Sequence, residues 1–250
     1  MIEIGCCHGP DDLDSIFLRE FDYREVTLSV FEDRHLPDPA ASSRTLQPPV
    51  RIVLGVFPAG TSLFDGESSL QRALDRVAYV TDVVARSGAR GLAFGAGAVR
   101  TIPPGLSRRE GEQILSRVLH ALAAGCAAAG AELFVENLPA DKSGMFNTLD
   151  EIVRFMDDYS LPSTSILYDL RSAAAQREAP QEAILHIGRI GHVHVPFPDG
   201  EYRNSPYDTG PLVNGLLKAG YARAVSLEPV APGLGPEIAA RRKVLAQAWS

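Results

Sequence analysis

The sequence predicts an α/β fold, a single-domain (β/α)8 TIM barrel over residues 1–250. Short apolar runs alternate with longer amphipathic stretches about eight times in 250 residues, which is typical of strand–helix units around a closed parallel sheet. Runs such as VRIVLGVF are apolar on both faces, as strands covered by helices are. The alternative is an open doubly wound sheet, but the glycines of GLAFGAGAVR do not follow the GxGxxG phosphate-binding pattern.

The first half supplies four predicted strands, which are IEIGC, REVTLSVF, VRIVLGVF and RGLAFGAG. A short helix is predicted over DDLDSIFLREF, because two aspartates suit a helix N-terminus. Prolines interrupt residues 34–49 repeatedly, which predicts an irregular loop rather than a helix. Ser68 or Ser69 is expected to cap the helix LQRALDRVAYVTDVVARSG, which should end at Gly88.

The second half repeats the alternation. Ser107 and Glu110 form a capping-box pattern before a long helix, and Thr148 precedes the next helix in the same way. The predicted strands are AELFVEN, TSILYDL, IGHVHVPF and ARAVSLEPV. Further helices are predicted over about 173–187, GPLVNGLLKAG and PEIAARRKVLAQAW. No composition shift marks a linker, so we expect one domain.

Composition limits the classes of function. The formal net charge of −7 argues against a nucleic-acid binder, which usually carries a basic surface. The three cysteines are odd in number and two are adjacent, so they predict no disulfide framework and favour a reducing compartment. Residues 1–12 lack the pattern of a signal peptide, and no apolar run approaches a membrane span. These features predict a cytoplasmic protein.

Polar residues stand at the ends of four successive predicted strands: Glu136, Asp169, the pair His192 and His194, and Glu228. In a barrel these strand ends surround one axis at the face where βα loops carry function. Gathered carboxylates repel one another and have raised pKa values unless a cation is present. Oxygen ligands with one imidazole suit Mn²⁺ or Mg²⁺, with Zn²⁺ or Co²⁺ as alternatives. Taken singly, each acid also fits a helix cap or an arginine partner.

His192 and His194 are two residues apart in a strand, so both imidazoles face the same way. His194 lies nearer the carboxyl end and is the predicted metal ligand. His192 lies deeper and is expected to pack beneath it as a hydrogen-bonded polar residue, close enough to the site to count among candidate substrate contacts.

With these residues identified, the chain resembles the xylose isomerase-like sugar isomerase/epimerase superfamily, especially its ketose 3-epimerases and hydroxypyruvate isomerases. The resemblance spans about residues 90–230. It rests on the order of FGAGAVRTIPPG, VENL, FNTLDEI, GHVHV and LLKAGYARAVSLEP. Residues 1–60 carry little specific likeness.

The resemblance implies a divalent metal held by Glu136, Asp169, His194 and Glu228. It also implies an isomerase or epimerase of carbohydrate metabolism that moves a proton through a cis-enediolate, with Glu136 and Glu228 as the acid–base pair. Arg100 and Arg203 are candidates to hold the far end of a small carbohydrate substrate; as surface arginines they would have no such role.

The sequence departs from the family pattern at two positions. Lys142 stands where the family usually has a substrate-contacting glutamate, and Ser172 stands where it has a histidine. Arg171 lies beside Ser172. The added positive charge of Lys142, Arg171 and Arg203 favours a sugar acid or sugar phosphate as substrate.

Other functions compete. A metal-dependent dehydratase or lyase on the same barrel would use the same metal and carboxylates. A non-catalytic sugar-binding barrel is compatible with the altered substrate positions. An abasic-site endonuclease is disfavoured, since its multi-metal cluster needs more histidines at strand ends than this chain supplies. We expect no nucleic-acid or membrane partner, while a homo-oligomer is compatible with the helical exterior.

Overall fold

The computed structural model describes residues 2–32, 38–197, 209–229 and 233–249. Eight parallel strands close into a barrel in sequence order, which confirms the predicted (β/α)8 architecture. The strands are β1 (Ile4–His8), β2 (Tyr23–Thr27), β3 (Val50–Leu54), β4 (Gly91–Phe94), β5 (Glu132–Glu136), β6 (Thr164–Asp169), β7 (Ile190–Phe197) and β8 (Val225–Pro229).

Helices cover the outside of this barrel. Those described are α1 (Ser29–Glu32), α2 (Pro39–Thr45), α3 (Glu67–Ser87), α4 (Arg108–Ala128), α5 (Leu149–Asp158), α6 (Leu170–Ala175), α7 (Pro180–Leu185), α8 (Gly210–Lys218) and α9 (Pro236–Ala248). Three predicted helix boundaries are confirmed. Ser107 and Glu110 form a full capping box, the Thr148 hydroxyl accepts the Glu151 N–H, and Gly88 ends α3 in the left-handed region at φ 69°. No helix of the described residues is both long enough and apolar enough to cross a bilayer.

The structure corrects two predictions in the first 60 residues. Residues 34–49 are not wholly irregular, because α2 begins at Pro39, where the missing N–H does no harm, and the Asp38 carboxylate accepts the Ala40 N–H at 3.0 Å. The predicted helix over 11–21 is instead two short 3-10 helices. Asp12 does not cap a helix; its carboxylate accepts the N–H groups of Gly233 and Leu234.

Three further boundaries differ from prediction. The predicted helix over 173–187 is split into α6 and α7, since Arg177 takes the left-handed conformation at φ 56° and Pro180 starts the second helix. The second predicted strand stops at Thr27, where its pairing with β3 ends, and α1 follows. Neither Ser68 nor Ser69 caps α3, because the helix begins earlier, after Gly66.

Two apolar layers hold the barrel. The larger lies between the strands and the helices and includes the outward side chains of β7, Val193 and Val195. The smaller lies inside the barrel and is formed by Tyr23, Ile52, Ala93, Phe134, Leu167 and Ala224. The ring of His192 lies 5.3 Å from that of His194 and packs against Phe134, so both imidazoles share the inner face.

Candidate metal centre

Three of the four predicted ligands converge at the carboxyl ends of β5, β7 and β8. The His194 Nδ1 atom lies 3.5 Å from the Glu136 Oε1 atom and 3.9 Å from the Glu228 Oε1 atom. Each of the three residues offers a ligand atom within 4.8 Å of the other two. This spacing fits one shared ion better than direct hydrogen bonds, which require shorter distances.

Asp169 stands beside this group at the end of β6, in register with His194. Its side chain is fully buried, and its Oδ1 atom accepts the Ser172 N–H at 2.6 Å, which caps α6. Its Oδ2 atom is buried and has no hydrogen-bond partner among the described residues. A buried carboxylate oxygen without a partner is costly, and a cation would remove that cost.

Two of the carboxyl groups, Asp169 and Glu228, have raised pKa values. Burial, followed by the negative charge of Glu136, raises the pKa of Asp169 above its ordinary value. Burial and the charges of Asp169 and Glu136 raise the pKa of Glu228 to about 8. The ring of acids is therefore a site that positive charge would stabilise.

The orientation of His194 is set from behind by a buried residue of β2, Glu25. The His194 Nε2 atom lies 2.9 Å from the Glu25 Oε1 atom, so the Nε2–H donates to this carboxylate. The Nδ1 atom then faces Glu136 and Glu228, and it has no hydrogen-bond partner among the described residues. An imidazole with one nitrogen donating to a carboxylate and the other unpaired is the usual arrangement of a metal-binding histidine.

The same nitrogen also attracts a proton. Burial alone would lower the pKa of His194, but the neighbouring carboxylates of Glu25 and Glu136 raise that pKa well above its ordinary value. Burial raises the pKa of Cys7 well above its ordinary value, so this residue is a neutral thiol at neutral pH. A divalent cation and a proton at Nδ1 thus compete for one position. The three carboxylates and one imidazole are a donor set that fits a divalent cation. Two of their buried atoms, Asp169 Oδ2 and His194 Nδ1, have no hydrogen-bond partner among the described residues.

His192 has a different environment. Its Nε2 atom lies 3.0 Å from the Glu25 Oε2 atom and 3.2 Å from the Ser226 hydroxyl, and its side chain is 1% exposed. These contacts are internal, so the structure places His192 in the packing layer under the site, as its depth in the strand predicts. The additional suggestion that His192 contacts substrate is not supported by this position.

The position of Arg100 also does not fit its predicted role as a substrate contact. Its guanidinium is fully buried beneath the ends of β4 and β5 and donates to the carbonyls of Glu136, Phe94 and Ala96. Two aromatic rings cover it, at 5.1 Å for Phe94 and 5.5 Å for Phe146. Arg100 therefore holds the strand end that carries Glu136, which is a correction to its prediction as a substrate contact.

The other predicted cations differ in their surroundings. The Arg171 Nη2 atom lies 3.3 Å from the Glu228 Oε2 atom, at the edge of the acid cluster. Lys142 is 70% exposed, and its ammonium lies 3.8 Å from Asp141. Arg203 lies outside the described residues. Of the three, Arg171 alone is shown to contact a predicted metal ligand within the described part of the chain.

Comparison with known proteins identifies the family. Residues 47–247 match the sequence profile of the xylose isomerase-like TIM barrels. The chain belongs to that family. No functionally curated protein matches it significantly in sequence.

Solved structures of similar fold include several sugar epimerases. The crystal structure of 3-keto-D-glucoside 4-epimerase from E. coli is similar with a TM-score of 0.74 and 22% identity, over 99% of both chains. L-ribulose 3-epimerase has a TM-score of 0.76 and 18% identity, over 98% of this chain and 86% of that one. D-allulose 3-epimerase from Methylomonas sp. has a TM-score of 0.75 and 18% identity, over 97% and 90%. At these identities the likeness establishes the shared fold.

Three supporting residues of this xylose isomerase-like barrel escaped sequence reasoning. Glu25 lies in the short strand β2 and was not predicted as a site residue. The two-residue period of this strand places it on the inner face with Tyr23. Asn137 clamps the end of β6, because its amide donates to the Asp169 carbonyl and accepts the Asp169 N–H at 2.7 Å. Gly95 lies against the Glu136 carboxylate: a Cβ there would come within 1.9 Å of Oε2.

Proposed function

We propose that this protein is a divalent metal-dependent sugar isomerase or epimerase that exchanges a proton on a carbon next to a carbonyl group. The observation that carries the proposal is the unpaired Nδ1 atom of His194, fixed by Glu25 from behind and facing Glu136 and Glu228. The similar folds support the reaction class, since the named 3-epimerases and the 4-epimerase of a 3-keto sugar all invert a carbon beside a carbonyl.

Glu136, Asp169, His194 and Glu228 would hold the metal, with Mn²⁺ or Mg²⁺ preferred by the oxygen-rich donor set. When bound, the metal supplies Lewis-acid polarisation of the sugar's neighbouring oxygens, which acidifies the C–H bond beside the carbonyl. The chain's own residues do the remaining work, which is to bind, orient and move the proton.

Glu136 and Glu228 are the proposed acid–base pair. They reach the site from β5 and β8, which lie on either side of the strands that carry Asp169 and His194. One carboxylate takes the proton from the carbon and the other returns a proton, on the opposite face for epimerisation or at the neighbouring oxygen-bearing carbon for isomerisation. General acid–base catalysis of this kind contributes about 10²–10⁴-fold.

Arg171 is proposed to keep Glu228 charged and oriented while substrate is bound. Its contact with Glu228 also weakens the case for a sugar acid or sugar phosphate, because this guanidinium already has a carboxylate partner and Lys142 projects into solvent. A neutral keto sugar is therefore the favoured substrate, and an acidic sugar requires a contribution from Arg203.

The test is proton exchange in D2O with a panel of neutral keto sugars, sugar acids and sugar phosphates. Protein stripped with chelator is assayed with and without Mn²⁺, and NMR follows deuterium entering the carbon beside the carbonyl. We expect exchange only with metal, and a loss of about 10²–10⁴-fold in Glu136→Gln and Glu228→Gln. Glu20→Gln, on an exposed 3-10 helix, is the matched control and should match the wild type.

The products separate the competing reactions. An inverted or isomerised sugar supports the proposal, whereas loss of water with formation of a new double bond shows a dehydratase. Sugar binding with no metal uptake and no deuterium exchange across the panel would contradict the proposal and favour a non-catalytic sugar-binding barrel.

A further inference from the structure

A second cavity lies at the opposite end of the barrel, where the strands begin. It has a volume of about 290 Å³ and is lined by residues that precede or open the strands. Its charged lining residues are Glu3, Arg51, Arg90, Glu132 and Arg223. We refer to it as the basal cavity.

Positive charge exceeds negative charge in this lining. Arg51 pairs with Glu3, and the Arg223 Nη2 atom lies 2.6 Å from the Glu132 Oε2 atom. Arg90 is exposed and has no carboxylate within ion-pair distance among the described residues. The three guanidinium groups therefore face two carboxylates, leaving one positive charge on the cavity wall.

The backbone brings these arginines together. The Arg90 N–H donates to the Arg51 carbonyl at 2.7 Å, and the Glu132 N–H donates to the Arg90 carbonyl at 3.0 Å. The backbone of Arg90 is thus held between that of Arg51 on one side and that of Glu132, the partner of Arg223, on the other. Arg51 is further held by stacking, with its guanidinium carbon 5.2 Å from the centre of the Tyr23 ring.

The inner end of the basal cavity is closed by aromatic rings. His192 and Phe134 line it, with ring centres 5.7 Å apart. Phe134 fits there because Gly91 and Gly191 have no Cβ atom. A Cβ at Gly91 would lie 2.4 Å from the Phe134 ring, and a Cβ at Gly191 would lie 2.7 Å from it. This layer lies between the basal cavity and the metal centre, so the two are separate sites.

We propose that the basal cavity binds a compact oxyanion, the phosphate or carboxylate group of a small metabolite. Guanidinium groups present paired N–H donors that match both oxyanions. Glu3 is 58% exposed, so it can leave Arg51 when a stronger anionic partner arrives. The volume is at the lower limit for ligand pockets, which suits a small acid or phosphate ester rather than a nucleotide.

Protection of arginine from phenylglyoxal tests this site directly. The full-length protein, stripped of metal so that the acid cluster repels anions, is treated with the reagent in chloride, phosphate or malonate at equal ionic strength. Peptide mass spectrometry gives the modification rate of each arginine. At a ligand concentration ten times Kd, bound ligand should slow modification of Arg90 about tenfold. Arg109, at the start of α4 at the other end of the barrel, is the internal control.

Comparing phosphate with malonate distinguishes the two classes of ligand. Protection of Arg90 by phosphate alone identifies a phosphate ester, protection by malonate alone identifies a carboxylic acid, and protection by both identifies a general oxyanion site. Arg90→Gln should weaken phosphate or malonate binding in calorimetry about tenfold relative to Arg109→Gln.

Equal modification rates of Arg90 in all three salts would overturn the proposal, as would equal slowing of Arg90 and Arg109. Because neither metal nor sugar is used, failure here would leave the proposed epimerase untouched. Failure of the deuterium-exchange test would equally leave this inference standing.

Discussion

Two imidazoles in one strand show how position decides between chemistry and packing. His192 and His194 share the inner face of β7, and each places its Nε2 atom on one oxygen of Glu25. His192 has a second partner in Ser226 and is enclosed by Tyr23 and Phe134. His194 instead keeps Nδ1 unpaired beside carboxylates. The hydrogen bonds of the His192 ring are made within the protein, while the Nδ1 atom of His194 faces carboxylates at the position where we propose a cation.

The largest difference should appear when each histidine is replaced by asparagine. His194→Asn removes the proposed ligand, and we expect Mn²⁺ affinity to fall by more than about 100-fold. His192→Asn removes one of the two hydrogen bonds to the buried Glu25 Oε2 atom and leaves the one from Ser226. It should therefore lower the free energy of unfolding by about 1–3 kcal/mol with little change in affinity. Calorimetric Mn²⁺ titration and urea unfolding measure both quantities; equal affinity losses in the two variants would break the comparison.

Glu25→Gln tests the residue that the two layers share. Glu25 accepts from both imidazoles and from the Ser226 hydroxyl at 2.7 Å, whereas an amide offers one acceptor oxygen. We expect Mn²⁺ affinity to fall roughly 10- to 100-fold because His194 loses its orientation. Affinity equal to the wild type would show that Glu25 does not position the ligand.

Gly95→Ala perturbs the metal layer without changing charge. The new methyl group would collide with the Glu136 carboxylate and displace it. Displaced catalytic groups lose rate steeply, and we expect kcat to fall about tenfold. Gly188→Ala is the matched control, since a Cβ there meets nothing within 4 Å. If both variants keep full activity in the exchange assay, contact with Gly95 does not determine the position of the Glu136 carboxylate.

The smallest expected effect is on stability against pH. Burial and the neighbouring acids raise the pKa of Glu228 from 4.5 to about 8 in the folded protein. The folded state therefore holds this proton more tightly than the unfolded chain does. The resulting stability is present below pH 4.5 and is lost as the pH rises through about 8.

Melting temperatures of metal-free protein check this sign. Between about pH 6 and about pH 9, the wild type should lose a few degrees more than Glu228→Gln, which has no proton to release. Saturating Mn²⁺ should reduce the loss in the wild type, because the cation replaces the proton. Parallel pH curves for the two metal-free proteins would exclude Glu228 as the source.

The fold was readable from the sequence because a barrel repeats one local pattern. Apolar runs such as that of β3 and the helix signals at Gly88 and Ser107 each act over a few residues. The approximate position of the site also followed, since consecutive strands that end in polar residues must place them around one axis. Whether those residues bind metal stays a prediction.

The supporting residues could not be read because their partners are distant in the chain. Glu25 precedes His192 and His194 by 167 and 169 positions in the chain, and no local pattern marks that pairing. Arg100 was misjudged for a related reason. A short 3-10 helix after β4 turns its guanidinium under the strand ends, where backbone carbonyls supply acceptors that the sequence does not reveal.

The most direct test of the metal centre is pulsed electron paramagnetic resonance of Mn²⁺ added to the metal-free protein. One imidazole nitrogen, Nδ1 of His194, should couple to the ion at one Mn²⁺ per chain. The coupling should persist in His192→Asn and vanish in His194→Asn. Bound Mn²⁺ without any nitrogen coupling, or coupling that survives in His194→Asn, would contradict the account.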